Sequence, residues 1–213
     1  MCEHLSVLAD EIVQYLAPRP GGRYLDGTLG LGGHSLRILQ TTAGQAHVLG
    51  LDRDMQILTL ACQRLATYRK HFTAFHGCFS NFADALGSVG WEKLDGVLVD
   101  LGVSSLQLDQ PQRGFSFLEE GPLDMRMNAG SDTFSAVDLV NTWPYERLKK
   151  ILFQYGEEPL AGRIARAIIA RREDRPFVTT LDLARCVENA YPAKRRALSR
   201  HQSCICSTVG VSL

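Results

Sequence analysis

Two kinds of hydrophobic pattern alternate along the first half of the chain. Short apolar runs typical of buried strands occur at 22–26, 47–52, 72–76 and 95–100. Apolar residues at helical spacing occupy segments at 5–16, 33–41, 54–69 and 81–90. Such alternation of strands and helices predicts a parallel sheet with helices packed on its faces.

The pattern changes in the second half of the chain. Residues 101–134 have neither a strand period nor a helical period, so they are predicted to form a long irregular loop. Beyond them the helical period returns, and prolines at 144, 159 and 176 mark boundaries between helices. The predicted helices are 135–142, 145–155, 159–174 and 180–190. We therefore expect a change of domain within 105–135, followed by a helical module.

Composition narrows the class of protein. The chain has 213 residues, of which 45% are hydrophobic, enough for a substantial core. No apolar run reaches the roughly 18 residues of a membrane span, and no secretory signal opens the chain. The six cysteines show no paired CxxC spacing, and the six histidines are scattered. The sequence thus predicts a cytoplasmic protein with reduced cysteines and no metal.

The formal net charge of zero hides an asymmetry. Residues 1–144 contain ten Lys and Arg against sixteen Asp and Glu, whereas residues 145–200 contain thirteen against seven. The two regions therefore carry net charges of −6 and +6. A basic region joined to an acidic one suggests a polyanionic partner for the basic part, although a solvated set of helix faces gives the same pattern.

A glycine-rich segment follows the first predicted strand. Residues 24–35 read YLDGTLGLGGHS, and Asp52 ends the next predicted strand, twenty residues beyond Gly32. Glycines allow a tight turn pressed against a ligand, and an acid at this offset accepts hydrogen bonds from ribose hydroxyls. The pattern predicts a nucleotide-type site. By itself it also fits a dinucleotide-dependent oxidoreductase, or glycines that serve packing alone.

A second candidate segment follows the fourth predicted strand. Residues 95–127 begin as an apolar run, reach a carboxylate at Asp100, and continue through small and polar residues to Gln107 and beyond. Irregular segments at the carboxyl ends of parallel strands are where open α/β sheets bind ligands. This segment is therefore a candidate for the chemistry of the site, with an ordinary surface loop as the alternative.

Together these segments resemble one family, the bacterial small-subunit rRNA (cytosine-N(4))-methyltransferases of the MraW type, over residues 4–201. The runs that carry the resemblance are DGTLGLGGHS at 26–35, LDRD at 51–54, HGCFSNF at 76–82, DGVLVDLGVSSLQLD at 95–109, RGFSF at 113–117, GPLDMRM at 121–127, YGEE at 155–158 and RIARAI at 163–168. The resemblance implies an α/β fold: a Rossmann-like class I methyltransferase sheet, here with its N-terminal strands only, and a helical inserted substrate-binding domain.

The resemblance also implies S-adenosyl-L-methionine as the cofactor and small-subunit rRNA as the partner. It assigns seven positions to the cofactor site: Gly32, Gly33, His34, Asp52, Phe79, Asp100 and Gln107. Three assignments leave alternatives open. His34 also fits a helix start, Phe79 also fits a core position, and Asp100 serves either the cofactor alone or, as a catalytic acceptor, the amine of the substrate.

Basic side chains are candidates for contacts with RNA phosphates. Two of them, Arg113 and Arg126, lie on the segment most specific to the family. The others lie on predicted helices and in the chain beyond them: Arg163, Arg166, Arg171, Arg172, Lys194, Arg195, Arg196 and Arg200.

The resemblance stops after His201. The sequence then reads QSCICSTVGVSL, where the family continues with further strands of its sheet, so we expect a truncation or frameshift and a weak or inactive chain. The predicted divisions are 1–105 for the cofactor-binding half, 106–200 for the loop and helical insert, and 201–213 for an aberrant tail. A non-catalytic RNA-binding remnant and an oxidoreductase remain the alternatives to a methyltransferase.

Overall fold

The computed structural model describes residues 8–128 and 134–192, which belong to two compact units divided between Leu101 and Gly102. From the sequence, the division between the two parts of the chain was predicted to follow residue 105. The predicted tail, 201–213, and the first residues of the predicted helix at 5–16 lie outside the described residues.

The first unit is built on a four-stranded sheet. Its strands are β1 (Arg23–Asp26), β2 (His47–Asp52), β3 (Phe72–His76) and β4 (Gly96–Leu98). All pairings are parallel and the order is β3-β2-β1-β4, which confirms the predicted parallel sheet. The strand order reverses between β1 and β4, and ligands of open α/β sheets bind beyond the carboxyl ends of strands at such a point.

Helices cover both faces of this sheet. They are α1 (Ala9–Leu16), α2 (Gly33–Thr41), α3 (Met55–Arg64) and α4 (Phe82–Val89). Successive strand residues point to opposite faces. Tyr24 and Val48 accordingly pack in the core with α2 and α3, whereas Leu25 and Leu49 pack in the core with α4. The first unit therefore has three layers, as the alternating pattern predicts.

The fourth strand differs from its prediction. It was expected to be a buried strand over 95–100, but β4 pairs only to Leu98 and Val97 is 54% exposed. Within the described residues β4 is an edge of the sheet with β1 as its neighbour, so one side of the strand lacks cover. Asp100 consequently lies two residues beyond the regular strand.

The second unit is helical. It contains α5 (Ser105–Asp109), α6 (Ala136–Thr142), α7 (Tyr145–Gln154), α8 (Ala161–Asp174) and α9 (Thr180–Ala190). Its core joins α6 to α9 with three side chains of the preceding segment: Phe115, Leu123 and Met125, each at most 1% exposed. The four later helices were predicted. The short helix α5 contradicts the prediction of a continuous loop over 101–134.

Candidate functional site

The glycine-rich segment forms a tight turn between β1 and α2. Gly30 and Gly32 have φ values of 53° and 74°, in the left-handed region that favours glycine. At Gly27 a side chain has little room, since a Cβ would lie 3.1 Å from Phe79 Cβ and 3.3 Å from Val99 Cγ2. The turn therefore brings bare backbone to the carboxyl edge of the sheet.

Asp52 ties this turn to the end of β2. Its Oδ2 accepts a hydrogen bond from the Gly30 N–H at 2.9 Å, and its Oδ1 accepts one from the Asp54 N–H at 2.9 Å. Burial raises the pKa of Asp52 above its usual value, and the backbone donors act in the opposite direction. Each carboxylate oxygen has two acceptor sites, so Asp52 retains acceptor capacity for a ligand.

Asp26, at the end of β1, is the most deeply buried acid of the first unit. It is fully buried, and its Oδ2 accepts a hydrogen bond from Ser35 Oγ at 2.7 Å. Its Oδ1 accepts a longer bond, 3.3 Å, from the Thr28 N–H. Burial raises the pKa of Asp26 to about 6, even though the Ser35 and Thr28 bonds lower it. Asp26 was not among the site residues predicted from the sequence.

Asp100 lies near the same turn, just beyond β4. Its backbone N–H donates to Thr28 Oγ1 at 2.6 Å, and its Oδ2 lies 3.4 Å from His34 Nε2. The Asp100 side chain is 56% exposed, whereas that of His34 is only 8% exposed. The other ring nitrogen of His34, Nδ1, is buried without a hydrogen-bond partner among the described residues. His34 and Asp100, two of the residues assigned to the cofactor site by the resemblance, thus lie in direct contact.

Phe79 follows β3 and begins a short 3-10 turn, Phe79–Asn81. Its side chain is 43% exposed and lies against the Gly27 backbone position. A phenyl ring left this exposed is not a core residue, which removes the alternative considered from the sequence. The ring is available at the same edge of the sheet as the glycine turn.

Gln107 lies in the second unit and takes part in a helix cap. Its Oε1 accepts a hydrogen bond from the Ser104 N–H at 3.0 Å, and its N–H donates to Ser104 Oγ at 3.3 Å. This reciprocal pair is a capping box, which starts α5. The Ser-x-x-Gln spacing was visible in the sequence and identifies the helix that the hydrophobic pattern missed. The assignment of Gln107 to the cofactor stays a prediction.

Arg113 and Arg126, the two arginines predicted near the chemistry, hold their own segment together. Arg113 Nη2 donates to the carbonyl oxygens of Arg126 and Met127, at 3.2 and 2.7 Å. Arg126 forms a two-bond ion pair with Asp124, with N···O distances of 2.7 and 2.9 Å. Within this part of the chain both guanidinium groups therefore have structural contacts.

Arg171 and Arg172, on α8, also contact the protein itself. Arg171 donates to both carboxylate oxygens of Asp182, at 2.7 and 2.8 Å, and lies over the Phe177 ring. Arg172 Nη1 donates to the carbonyl oxygens of Val140 and Trp143, both at 2.8 Å, at the end of α6. Charge-assisted contacts of this kind fix the packing of α8 against its neighbours.

Arg163 and Arg166 differ from the other four candidates. Both are exposed on α8, and their side chains form no hydrogen bond or ion pair within 8–128 and 134–192. Lys149 adds a positive charge close to Gly162, the residue before Arg163. Its Cδ and Cε lie 3.9 Å from the position that a Cβ would take at Gly162. Its Nζ lies over the Tyr145 ring. Lys194, Arg195, Arg196 and Arg200 lie outside the described residues.

Two other functional features are absent from the described residues, a metal centre and a membrane-spanning helix. In the described ranges no group of three His, Cys, Asp or Glu side chains is arranged to hold a metal ion. In the same ranges no helix has both the length and the apolar character needed to cross a membrane.

The first unit combines a parallel sheet, a glycine turn at its carboxyl edge and an acid at the end of β2. This combination is typical of nucleotide-type sites in α/β proteins. The model of the MraW methylase family matches residues 1–204, and the chain belongs to that family.

Curated relatives carry the name ribosomal RNA small subunit methyltransferase H. The relative from Oleidesulfovibrio alaskensis is 55% identical over 198 residues, which cover 93% of this chain and 61% of the relative. The one from Maridesulfovibrio salexigens is 55% identical over 197 residues, with coverages of 92% and 61%. The one from Lawsonia intracellularis is 48% identical over 198 residues, with coverages of 93% and 64%. The chain thus spans about three fifths of the length of these relatives.

Proposed function

We propose that this chain binds S-adenosyl-L-methionine and belongs to a methyltransferase acting on N4 of a cytidine in small-subunit rRNA. Membership of the MraW methylase family and the names of the relatives support the class of reaction and the RNA substrate. The observation that carries the proposal is the hydrogen bond between the Gly30 N–H and Asp52, which places an acid against a glycine turn.

The residues of the first unit fit this cofactor. S-adenosyl-L-methionine has a ribose diol, an adenine ring and a methionine end, but no phosphate. Asp52 has acceptor capacity for the diol, and Phe79 offers an exposed ring to the adenosine. The backbone of Gly32 and Gly33 is suited to the methionine end. The buried Nδ1 of His34 has no hydrogen-bond partner among the described residues, and a ligand would complete its hydrogen bond.

When bound, the cofactor supplies a methyl group activated by an adjacent sulfonium. Transfer of this methyl group to the amine nitrogen of cytosine would leave S-adenosylhomocysteine and would release one proton from the amine to solvent. The amine is a weak nucleophile because its lone pair is delocalised into the ring. The Asp100 carboxylate, half exposed beside His34, would accept a hydrogen bond from that amine and stabilise the developing positive charge.

The RNA substrate requires a second contact. A base stacked in a helix does not reach an active-site pocket, so the target cytidine must be single-stranded or flipped out. Arg163 and Arg166 are exposed and suited to contacts with phosphate groups. Such contacts would position the RNA without reading its sequence.

The first test is a calorimetric titration of the 213-residue chain with S-adenosylhomocysteine, and separately with NAD. We expect the first ligand to bind and the second not to bind. Asp52→Ala should weaken S-adenosylhomocysteine binding about tenfold or more, since charge-assisted hydrogen bonds are worth about 1.5–3 kcal/mol. The matched control is Glu92→Gln, which removes an exposed carboxylate elsewhere in the same unit.

The second test is methyl transfer to unmodified small-subunit rRNA, with the product nucleoside identified by mass spectrometry. Methylation at N4 of cytidine supports the proposal, and a methyl group on another atom contradicts it. Binding of NAD in place of S-adenosylhomocysteine would favour an oxidoreductase. RNA binding with neither ligand would favour a non-catalytic RNA-binding protein.

A further inference from the structure

Asp100 lies where the sheet no longer fixes the chain. The last paired residues of β1 and β4 are Asp26 and Leu98, and the Gly27 N–H donates to the Leu98 carbonyl at 2.8 Å. Val99 and Asp100 continue past this point, and both are exposed. A carboxylate that must face a substrate amine therefore needs another contact to hold its backbone.

Thr28 supplies that contact from the glycine turn. Its Oγ1 accepts the hydrogen bond from the Asp100 N–H at 2.6 Å, which joins two residues 72 positions apart in the sequence. The distance is short for an N–H···O bond. This hydroxyl oxygen thus ties the chain beyond β4 to the turn after β1.

Thr28 is itself held by the buried acid. The Thr28 N–H donates to Asp26 Oδ1, and the second oxygen of Asp26 is held by Ser35 Oγ in the first turn of α2. Because Asp26 is fully buried at the end of β1, it is a rigid reference point for this turn. We call Asp26, Thr28 and Ser35 the Asp26 brace.

The two contacts of Asp100 have different roles. The bond to Thr28 fixes its backbone, whereas His34 Nε2 lies 3.4 Å from Oδ2 of its side chain. His34 is adjacent to Ser35, so both contacts originate from the same segment around α2 and the glycine turn. Any shift of the brace would therefore displace the Asp100 carboxylate.

We propose that Thr28 is a positioning residue, whose hydroxyl oxygen, set by the Asp26 brace, fixes the direction in which the Asp100 carboxylate faces the reacting amine. The inference rests on the proposed function for the role of Asp100, but the hydrogen bond itself is testable without any activity. Misplacement of a catalytic group by about 1 Å can reduce a rate on the order of a hundredfold.

The test compares Thr28→Val, which keeps the shape and removes the acceptor oxygen, with Thr28→Ser, which keeps the oxygen. The direct measurement is hydrogen exchange of the Asp100 amide, followed by NMR in the 213-residue chain. We expect exchange to be at least about tenfold faster in the Val variant and nearly unchanged in the Ser variant, as loss of one hydrogen bond implies. The methyl-transfer kcat should fall about tenfold to a hundredfold in the Val variant, with a smaller change in KM, and the Ser variant should restore it.

The results distinguish failure of the positioning role of Thr28 from failure of the proposed function. If the parent chain binds no S-adenosylhomocysteine, the proposed function fails, yet the exchange rates still decide whether Thr28 holds Asp100. Unchanged exchange in the Val variant overturns the inference, as does a Ser variant that behaves like Val. Thr28→Ala is a second variant in case Val does not fold. Loss of folding in both, with Ser intact, would overturn the positioning role in favour of a purely structural one.

Discussion

The two units use their charged side chains in opposite ways. In the first unit, acids gather at one edge of a sheet, where Asp26 is fully buried and Asp52 accepts bonds from backbone N–H groups. In the second unit, four of the six candidate arginines donate to carbonyl oxygens or to carboxylates within the unit: Arg113, Arg126, Arg171 and Arg172. Buried acids with raised pKa values are typical of functional sites, whereas arginines that cap helix ends are typical of structural support. The comparison implies that mutations of the acids in the first unit will mainly change ligand binding and pH dependence, and that mutations of these four arginines in the second unit will mainly change stability.

The largest expected effect concerns Arg172. Arg172→Leu removes two hydrogen bonds to the carbonyl oxygens of Val140 and Trp143, at the end of α6. Hydrogen bonds from a charged group contribute about 1.5–3 kcal/mol each, so the free energy of unfolding should fall by about 3 kcal/mol or more. Urea unfolding can be followed by the fluorescence of Trp143 in a Trp91→Phe background, which reports the second unit alone.

The control for Arg172 is Arg166→Leu on the same helix. Its side chain is exposed, and substitutions at such sites change stability by less than about 0.5 kcal/mol. If Arg172→Leu and Arg166→Leu lower the free energy of unfolding equally, the hydrogen bonds of Arg172 do not stabilise the second unit more than an exposed arginine does.

The next prediction concerns the pH dependence of stability at Asp26. The pKa is about 6 in the folded chain and 3.8 in the reference state, so the folded state binds the proton more tightly. The stabilisation is fully present below about pH 4 and is lost as the pH rises through about 6. Ser35, Thr28, His34 and Asp52 surround this group. Relative to Asp26→Asn, the parent should lose about 2–3 kcal/mol of unfolding free energy between pH 4 and pH 7.

Asp95 provides a control of opposite sign for this measurement. The backbone N–H of Arg23 and the Arg19 side chain lower the pKa of its carboxyl group, so its stabilisation is present above the unfolded pKa and is lost as the pH falls. Asp95→Asn should therefore change the pH profile in the direction opposite to Asp26→Asn. If both variants change the pH dependence of stability in the same direction, burial does not raise the pKa of Asp26.

The sequence predicted most strands and helices that have a clear hydrophobic pattern in both units. It did not predict features that depend on a single hydrogen bond or on the neighbours of a strand. Strands β2 and β3 match their predicted ranges, because their apolar runs are bounded by polar residues. Helix α5 was missed because a capping box rather than a hydrophobic period defines it. β4 was predicted as buried because an apolar run does not reveal whether a strand has neighbours on both sides.

The candidate site was predicted in part. Asp52, His34 and Asp100 were chosen through the glycine turn and the family resemblance, and they lie around that turn in the first unit. The roles of Asp26 and Thr28 depend on which strand ends are adjacent, and the spacing of residues along the chain does not contain that information. Likewise, the four candidate arginines of the predicted helix at 159–174 looked equivalent in the sequence, and only the packing of the helices distinguishes Arg172 from Arg166.

The smallest expected effect on stability concerns Arg163 and Arg166, the two candidate arginines of the second unit that are exposed. Arg163→Gln combined with Arg166→Gln should change the free energy of unfolding by less than about 0.5 kcal/mol for each substitution, since both side chains are exposed. RNA binding should weaken, and the slope of log K against log salt should decrease by about 1.5, because each lost phosphate contact contributes about 0.7–0.9. The matched control is Arg69→Gln with Lys93→Gln, which removes the same charge from exposed positions of the first unit. If both double variants reduce the salt slope equally, the effect comes from net charge, and α8 has no special role in holding RNA. If only the α8 variant reduces the salt slope, the exposed arginines of α8 form the RNA contact. The second unit would then bind RNA through these two side chains, while its other arginines stabilise the fold.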